Sequence, residues 1–398
     1  MKKFLALLLA AVMTLALVAC GGKDNGDANN DGKTTEKVAM ITDYGDITDQ
    51  SFNQTTYEAC KAYCEANGVD FNYYKPSGDS TAERVAMIEK AVEEGYTVIV
   101  MPGYAFGGAI KEAQDQYPDV KFVALDVSEY DITSEFYKKD ASGNATDELL
   151  SADNQPHVSK NVYSAVYKEE LCGYMAGYAA VKMGYKSLGF LGGMAVPAVQ
   201  RYGYGFVQGV DAAAKEMGLS DVKVNYVYGG QFSGDADITA AMDTWYKGGT
   251  QVVFACGGGI YSSAAEAAQK VGAKVIGVDV DQAGIIDSKY GDKMTVTSAM
   301  KGLAPTVKTM LTEIMAGNWD KYAGKVETLG LVSGDDPTQN YVQLPMDTTQ
   351  WTDSFTQDNY KSLVKDMFDG KITVSNDITK SAADFATVIT VDDQGKIK

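Results

Sequence analysis

Residues Val38 to Tyr63 read VAMITDYGDITDQSFNQTTYEACKAY, and their interpretation decides the fold. Val38 to Thr42 is a short apolar strand, followed by a polar loop holding Asp43, Asp46 and Asp49, and then by a helix opened by Ser51-Phe52-Asn53-Gln54. In an open α/β sheet, ligands settle outside the carboxyl ends of the strands, where a loop hands over to a helix. Phe52 stands at the mouth of the helix rather than on its inner face, and Asn53 offers both donors and acceptors. The competing interpretation makes Phe52 a packing staple and Asn53 a cap.

Strand-like and helix-like segments alternate outward from this stretch. Val69 to Tyr74, Thr97 to Met101 and Lys121 to Leu125 read as strands, with helices over Ala82 to Glu94 and Ala109 to Tyr117 between them. Such a run calls for a parallel sheet covered by helices on both faces. The pattern lapses over Ser128 to Pro156, a polar surface insertion, and His157 behind it is expected to face solvent. A second unit starts at Asn161. Strands at 162–166, 187–191, 222–228, 251–255, 274–278 and 294–298 alternate with helices at 167–183, 201–217, 238–247, 261–271 and 305–315. A last section spans 327–333, 357–370 and 371–374.

The chain of 398 residues is 45% hydrophobic, enough for two packed domains. Its formal net charge of −18 argues against nucleic acid or an anionic membrane surface as partner. Arg84 and Arg201 are its only arginines, which disfavours a multiply anionic ligand and favours a neutral, hydrogen-bonding one. With His157 as the single histidine, imidazole catalysis and His-rich metal sites have little to work with. Cys60 and Cys64 lie one helical turn apart without further ligands nearby, so they read with Cys172 and Cys256 as small core residues, and neither metal nor cofactor is expected.

At the N-terminus, Lys2 and Lys3 precede an apolar run ending in Leu17-Val18-Ala19-Cys20, so residues 1–19 read as a signal peptide. The last four residues have the form of a lipobox, implying cleavage before Cys20 and acylation of its sulfur, with anchoring on the extracytoplasmic face of the cell membrane. Gly21 to Glu36 carries no apolar cluster and reads as a tether of roughly 20–25 Å.

Both units place an aromatic residue near the start of a helix that follows a strand: Phe52 in the first, Tyr202 in the second. Two lobes facing across a cleft would then present one ring each, and a flat ligand could be sandwiched at about 1–3 kcal/mol per stacking contact. Met194, with the glycines beside it, would allow close approach. Asp126, Asp279 and Lys301 stand at or just beyond further strand ends; Asp279 with Lys301 suits a ribose-like diol, and Asp126 suits ring N–H donors. Tyr104, after the strand at 97–101, joins the candidate set. Cys256-Gly257-Gly258-Gly259 followed by Asp279 imitates a dinucleotide fingerprint, but Ser262 holds the place of the third glycine, and Gly257 and Gly258 read instead as close backbone approach to a small ligand.

Taken together, the Asp43 to Gln54 stretch, Gly189-Phe190-Leu191-Gly192-Gly193-Met194 with Arg201-Tyr202 and Gly205-Phe206, Gly277 to Gln282, and Thr297-Ser298-Ala299-Met300-Lys301 resemble the basic membrane protein family. These are lipoprotein substrate-binding components of ABC-type nucleoside importers, and the resemblance covers nearly all of residues 37–330. It implies a type I periplasmic-binding-protein fold, α/β, with two doubly wound parallel-sheet lobes joined by three hinge crossovers. Lobe 1 would take 37–160 with about 294–325, and lobe 2 would take 161–293 with about 326–398. The resemblance also implies that Phe52 and Tyr202 stack on a base, that Asp43, Asn53 and Asp126 address its edge, and that Asp279 and Lys301 hold the ribose. Tyr202 stands where the family usually has Phe. The expected partners are a nucleoside and a membrane permease, for a monomer without enzymatic activity. The rival expectations are a sugar or autoinducer receptor on the same fold and an exported hydrolase using Asp43 and Asp279 as a carboxylate pair.

Overall fold

The computed structural model describes residues 36–397. The expected signal peptide, the expected acylation site Cys20 and all of the expected tether except Glu36 lie outside these residues.

β1 (Val38–Ile41), β2 (Phe71–Tyr74), β3 (Val98–Pro102) and β4 (Lys121–Leu125) alternate with α1 (Phe52–Asn67), α2 (Thr81–Glu93) and α3 (Gly107–Gln116). β1 and β3 are buried at every position, as strands covered on both faces must be. Asp49 starts α1, its carboxylate accepting from the backbone N–H groups of Ser51, Asn53 and Gln54; Ser80 caps α2 by accepting from Glu83 N.

The polar segment after β4 is ordered. It forms α4 (Glu129–Thr133), opened by a Ser128–Asp131 capping box, and an antiparallel hairpin of β5 (Tyr137–Lys139) and β6 (Ala145–Leu149). His157 behind it is half-exposed and pairs with Asp115 at 3.0 Å.

Next come β7 (Val162–Tyr167), α5 (Glu169–Lys182), β8 (Ser187–Gly192) and α6 (Pro197–Glu216). The chain continues through β9 (Lys223–Tyr228), α7 (Ala236–Lys247), β10 (Val252–Cys256), α8 (Tyr261–Gln269), β11 (Lys274–Asp279), α9 (Ala283–Tyr290), β12 (Thr295–Lys301) and α10 (Leu303–Met315). β13 (Lys325–Leu329), β14 (Val342–Gln343), α11 (Gln357–Phe368) and β15 (Thr390–Lys396) complete it.

Two sheets organise the body. One runs β13-β7-β4-β3-β1-β2, all parallel; the other runs β14-β12-β11-β10-β8-β9-β15, parallel except where β14 meets β12. In each sheet the strand order reverses at one place, between β1 and β3 in the first and between β8 and β10 in the second. This is the type I periplasmic-binding-protein architecture, and each reversal opens a crevice at the strand ends.

The sheet memberships differ from the sequence-based lobe boundaries. The boundaries expected from sequence put Val162–Tyr167 in lobe 2, but it lies in the first sheet between β4 and β13; they put Thr295–Lys301 in lobe 1, but it lies in the second sheet beside β11; and they put most of β13 in lobe 2, but it edges the first sheet. Apolar periodicity identifies a strand but carries no information on which sheet receives it. The three crossings lie side by side at Lys168, Gly302 and Gly330 to Tyr341. Lys168 N donates to Leu329 O at 2.9 Å, Gly302 N to Tyr341 O at 2.7 Å, and Tyr341 N to Gly330 O at 3.0 Å.

α5 and α6 pack with almost no side chain between them. A Cβ on Gly173 would stand 2.2 Å from the Tyr202 carbonyl oxygen, and one on Gly205 would stand 2.1 Å from that of Glu170. Cys60, Cys64, Cys172 and Cys256 are all buried and unpaired by disulfides. None of the described helices is long and apolar enough to cross a membrane.

Candidate ligand-binding site

The two strand-order reversals face one another across a cavity of about 930 Å³. Asp43, Phe52, Asn53, Tyr104, Asp126, Met194, Tyr202, Gly257, Gly258, Asp279 and Lys301 all line it. Its size falls within the range usual for small-molecule clefts.

The first lobe contributes the loop after β1. Asp43 Oδ1 accepts from Tyr44 N at 2.6 Å and Gly45 N at 2.7 Å, which folds the loop back on itself. A Cβ on Gly45 would stand 2.3 Å from Asn53 Nδ2, so a side chain there would displace the Asn53 amide. Burial pushes the Asp43 carboxyl above its ordinary range, against the pull of those two amides.

Asp126 and Asp279 end β4 and β11, one in each sheet, and both adopt a left-handed backbone, with φ of 60° and 65°. Aspartate tolerates that region better than most residues, and strain of this kind persists where the surroundings hold it. Between them stands Lys301 at the end of β12. It pairs with Asp126 and lies 3.6 Å from both Glu169 Oε1 and Asp279 Oδ1. Burial alone would lower the Lys301 ammonium; the carboxylates of Asp126, Asp279 and Glu169 reverse this and hold it charged. Arg201 Nε donates to Glu169 Oε2 at 2.6 Å and secures the other side of the cluster.

The same ammonium stands 4.8 Å from the centre of the Phe52 ring and 5.7 Å from that of Tyr202. One ring comes from each lobe. Tyr202 is only 1% exposed and meets Phe254 edge-on, with ring centres 5.8 Å apart. The sequence expectation started its helix at Arg201. α6 instead begins at Pro197, where the missing N–H costs nothing, so Tyr202 sits in the second turn.

Among the described residues, Asn53 Oδ1 and Asp126 Oδ1 line the cavity as buried acceptors without a hydrogen-bond partner. A buried orphan of this kind costs about 1–3 kcal/mol, which a ligand N–H or O–H would recover. Asp279 is better satisfied, because its Oδ2 accepts from Ser51 Oγ at 2.7 Å and its Oδ1 lies 3.4 Å from the Tyr202 hydroxyl.

The close approach permitted by the glycines is made by the protein itself. A Cβ on Gly193 or Gly257 would meet the Phe232 ring at 2.3 or 2.7 Å, and one on Gly258 would meet the Phe232 carbonyl oxygen at 2.8 Å. Sequence reasoning missed Phe232, along with Ser51, Glu169 and Arg201 as members of the site. The clustered glycines were the available signal for Phe232, since a backbone without Cβ atoms makes room for something large.

Residues 36–345 match the family described as Bmp, ABC transporter substrate-binding protein PnrA-like. The chain belongs to this family. It is therefore a substrate-binding protein of an ABC transporter and not an enzyme, which removes the carboxylate-pair hydrolase. The "ABC transporter nucleoside-binding protein BmpA" of Lactococcus lactis is 26% identical over 391 residues, covering 94% of this chain and 99% of that one. An uncharacterized lipoprotein of Pyrococcus horikoshii is 25% identical over 344 residues, covering 83% and 76%. Among solved structures, an ABC transporter solute-binding protein from Aeropyrum pernix superposes with a TM-score of 0.60 at 20% identity, covering 88% and 90%, and supports the fold.

Proposed function

We propose that this Bmp-family protein captures a nucleoside, with purines preferred, and delivers it to its permease from the extracytoplasmic face of the membrane, anchored there through an acylated Cys20. The observation that carries the ligand class is the pair of rings from opposite lobes, Phe52 and Tyr202, facing one cavity whose walls also hold donor-seeking acceptors. A planar base gains stacking on Phe52, and on Tyr202 as well once the Lys301 ammonium, which now lies over both rings, moves toward the sugar. Asp43, Asn53 and Asp126 offer its edge oxygen acceptors, which match N–H donors such as N1–H and the exocyclic amine of guanine. Lys301 and Asp279 remain for the sugar. The nucleoside-binding relative from L. lactis supports the class, and the lipobox-like run before Cys20 together with the lipoprotein relative supports the anchor.

Asp46, Asp49, Asp79 and Asp131 also line the cavity, against Lys75 and Arg201, and Asp46 and Asp79 are paired with Lys75 and Arg84, so carboxylates still outnumber cations around a phosphate. The neutral nucleoside is expected to bind, and its 5′-phosphate to bind far more weakly.

Titration calorimetry with guanosine, inosine, adenosine, arabinose and ribose tests the proposal, and native mass spectrometry of freshly purified protein identifies any ligand carried along. Binding of a sugar with none of a nucleoside would replace the proposal by the sugar-receptor alternative.

A further inference from the structure

The match to the family model ends at residue 345, and Ile378, beyond it, lines the cavity. We propose that the C-terminal segment of this chain forms the outer wall of the ligand cavity through Ile378, and that this side chain sets the size of ligand accepted. The proposal rests on the nucleoside reading for its probes.

The segment is fastened to α6, the helix that carries Tyr202. Gln208 Nε2 donates to Ser375 O at 2.9 Å while Ser375 N donates to Gln208 Oε1 at 2.8 Å. One turn on, the Asp211 carboxylate accepts from Thr387 N at 2.7 Å, from the Thr387 hydroxyl at 2.6 Å and from Val388 N at 2.8 Å. The Tyr204 and Phe385 rings meet with centres 5.4 Å apart, and β15 then extends the second sheet alongside β9. Tyr204, Gln208 and Asp211 follow the spacing of one helix face, so a single face of α6 holds the segment. The first turns of the same helix direct Pro197, Arg201 and Tyr202 into the cavity. The stacking ring and the Ile378 wall are thus tied to one rigid element.

Around Ile378 itself the backbone is pinned: Asp377 N donates to Ser375 Oγ at 3.3 Å and Thr379 N to Asp377 Oδ1 at 3.0 Å. Ile378 is half-buried, and the apolar Val196, Pro197 and Ala198 line the same cavity. A wall of this kind offers no hydrogen bond and discriminates by volume, where one methylene more or less changes binding by about 10- to 200-fold.

Ile378→Trp and Ile378→Ala in the full-length chain test the proposal, with unliganded melting temperature as the check on folding. The probes are adenosine and two adenosines bearing a benzyl group, one on N6 and one on O5′. Ile378→Trp is expected to weaken adenosine by about tenfold or more, and Ile378→Ala to shift the affinity ratio of at least one benzylated probe to adenosine upward by about fivefold. Should Ile378→Trp fail to fold, the ratio in Ile378→Ala decides. If the folded variants keep the affinities and ratios of the parent within twofold, the proposal is overturned while the nucleoside reading stands. If the parent chain binds no nucleoside, that reading falls and takes this one with it.

Discussion

Ser51 Oγ donates to Asp279 Oδ2 at 2.7 Å, joining the start of α1 in the first lobe to the end of β11 in the second. Gln282 Nε2 reinforces the contact by donating to Gln50 O at 3.1 Å, and the Lys301–Asp126 pair crosses the same gap. In this structure the lobes are therefore closed on one another at the level of the rings. Lobe closure of this kind makes affinity depend on the population of the closed form.

Ser51→Ala should loosen that closure. It leaves Asp279 Oδ2 short of a donor inside the protein, at a cost of about 1–3 kcal/mol to the closed state. Nucleoside affinity is expected to fall by about 5- to 100-fold, and small-angle scattering should report a larger radius of gyration for the unliganded variant. Unchanged affinity and radius would show that the contact contributes nothing to closure.

Guanosine is expected to bind more tightly than adenosine. Asn53 Oδ1 and Asp126 Oδ1 both await donors, and guanine presents two on one edge, where adenine places the N1 acceptor against a carboxylate. Asn53→Ala should cost guanosine about 1–3 kcal/mol and adenosine less, as read by calorimetry. Equal losses for both bases would remove Asn53 from recognition of the base.

Glu170 supplies a pH dependence. Burial pushes its carboxyl up to about 7 from an ordinary 4.5, with the neighbouring Glu169 charge adding to the effect. A carboxyl raised in the folded state stabilises the protein while it stays protonated, fully below its ordinary value, and that contribution is lost as pH rises through about 7. Glu170→Gln should therefore melt higher than the parent at about pH 8, with the difference shrinking toward about pH 5. A difference that stays constant across this range in a fluorescence melting series would refute the assignment.

Gly173→Ala should reach the binding site from behind. The new methyl would stand 2.2 Å from the Tyr202 carbonyl oxygen, so α5 and α6 must separate, at a cost of about 1–3 kcal/mol or more. Urea unfolding should show the loss, and because Tyr202 moves with its backbone, nucleoside affinity should drop in the same variant.

Much of this architecture is legible in the primary sequence. The strand from Val38, the loop of aspartates and the helix mouth at Phe52 are local features whose residue types leave little choice of conformation, and they stand where expected. The seven-residue β15 carries no strand signal in its sequence: Thr390–Lys396 is almost wholly polar and exposed, and becomes a strand only because the edge of β9 offers it a hydrogen-bonding partner. β12 was recognised as a strand but placed in the wrong sheet, since neighbouring strands differ in register and partner rather than in composition.

The order of strands and helices, the scarcity of arginine and the family's motifs are properties of the chain read in one dimension, because each depends on residues near one another along it. Folding in three dimensions decided the rest. Glu169, Lys301, Asp126 and Asp279 are far apart in sequence and become one buried charge cluster only when both sheets are assembled. Asp279 came to hold Ser51 across the cleft because closure leaves its carboxylate without water and a hydroxyl within reach.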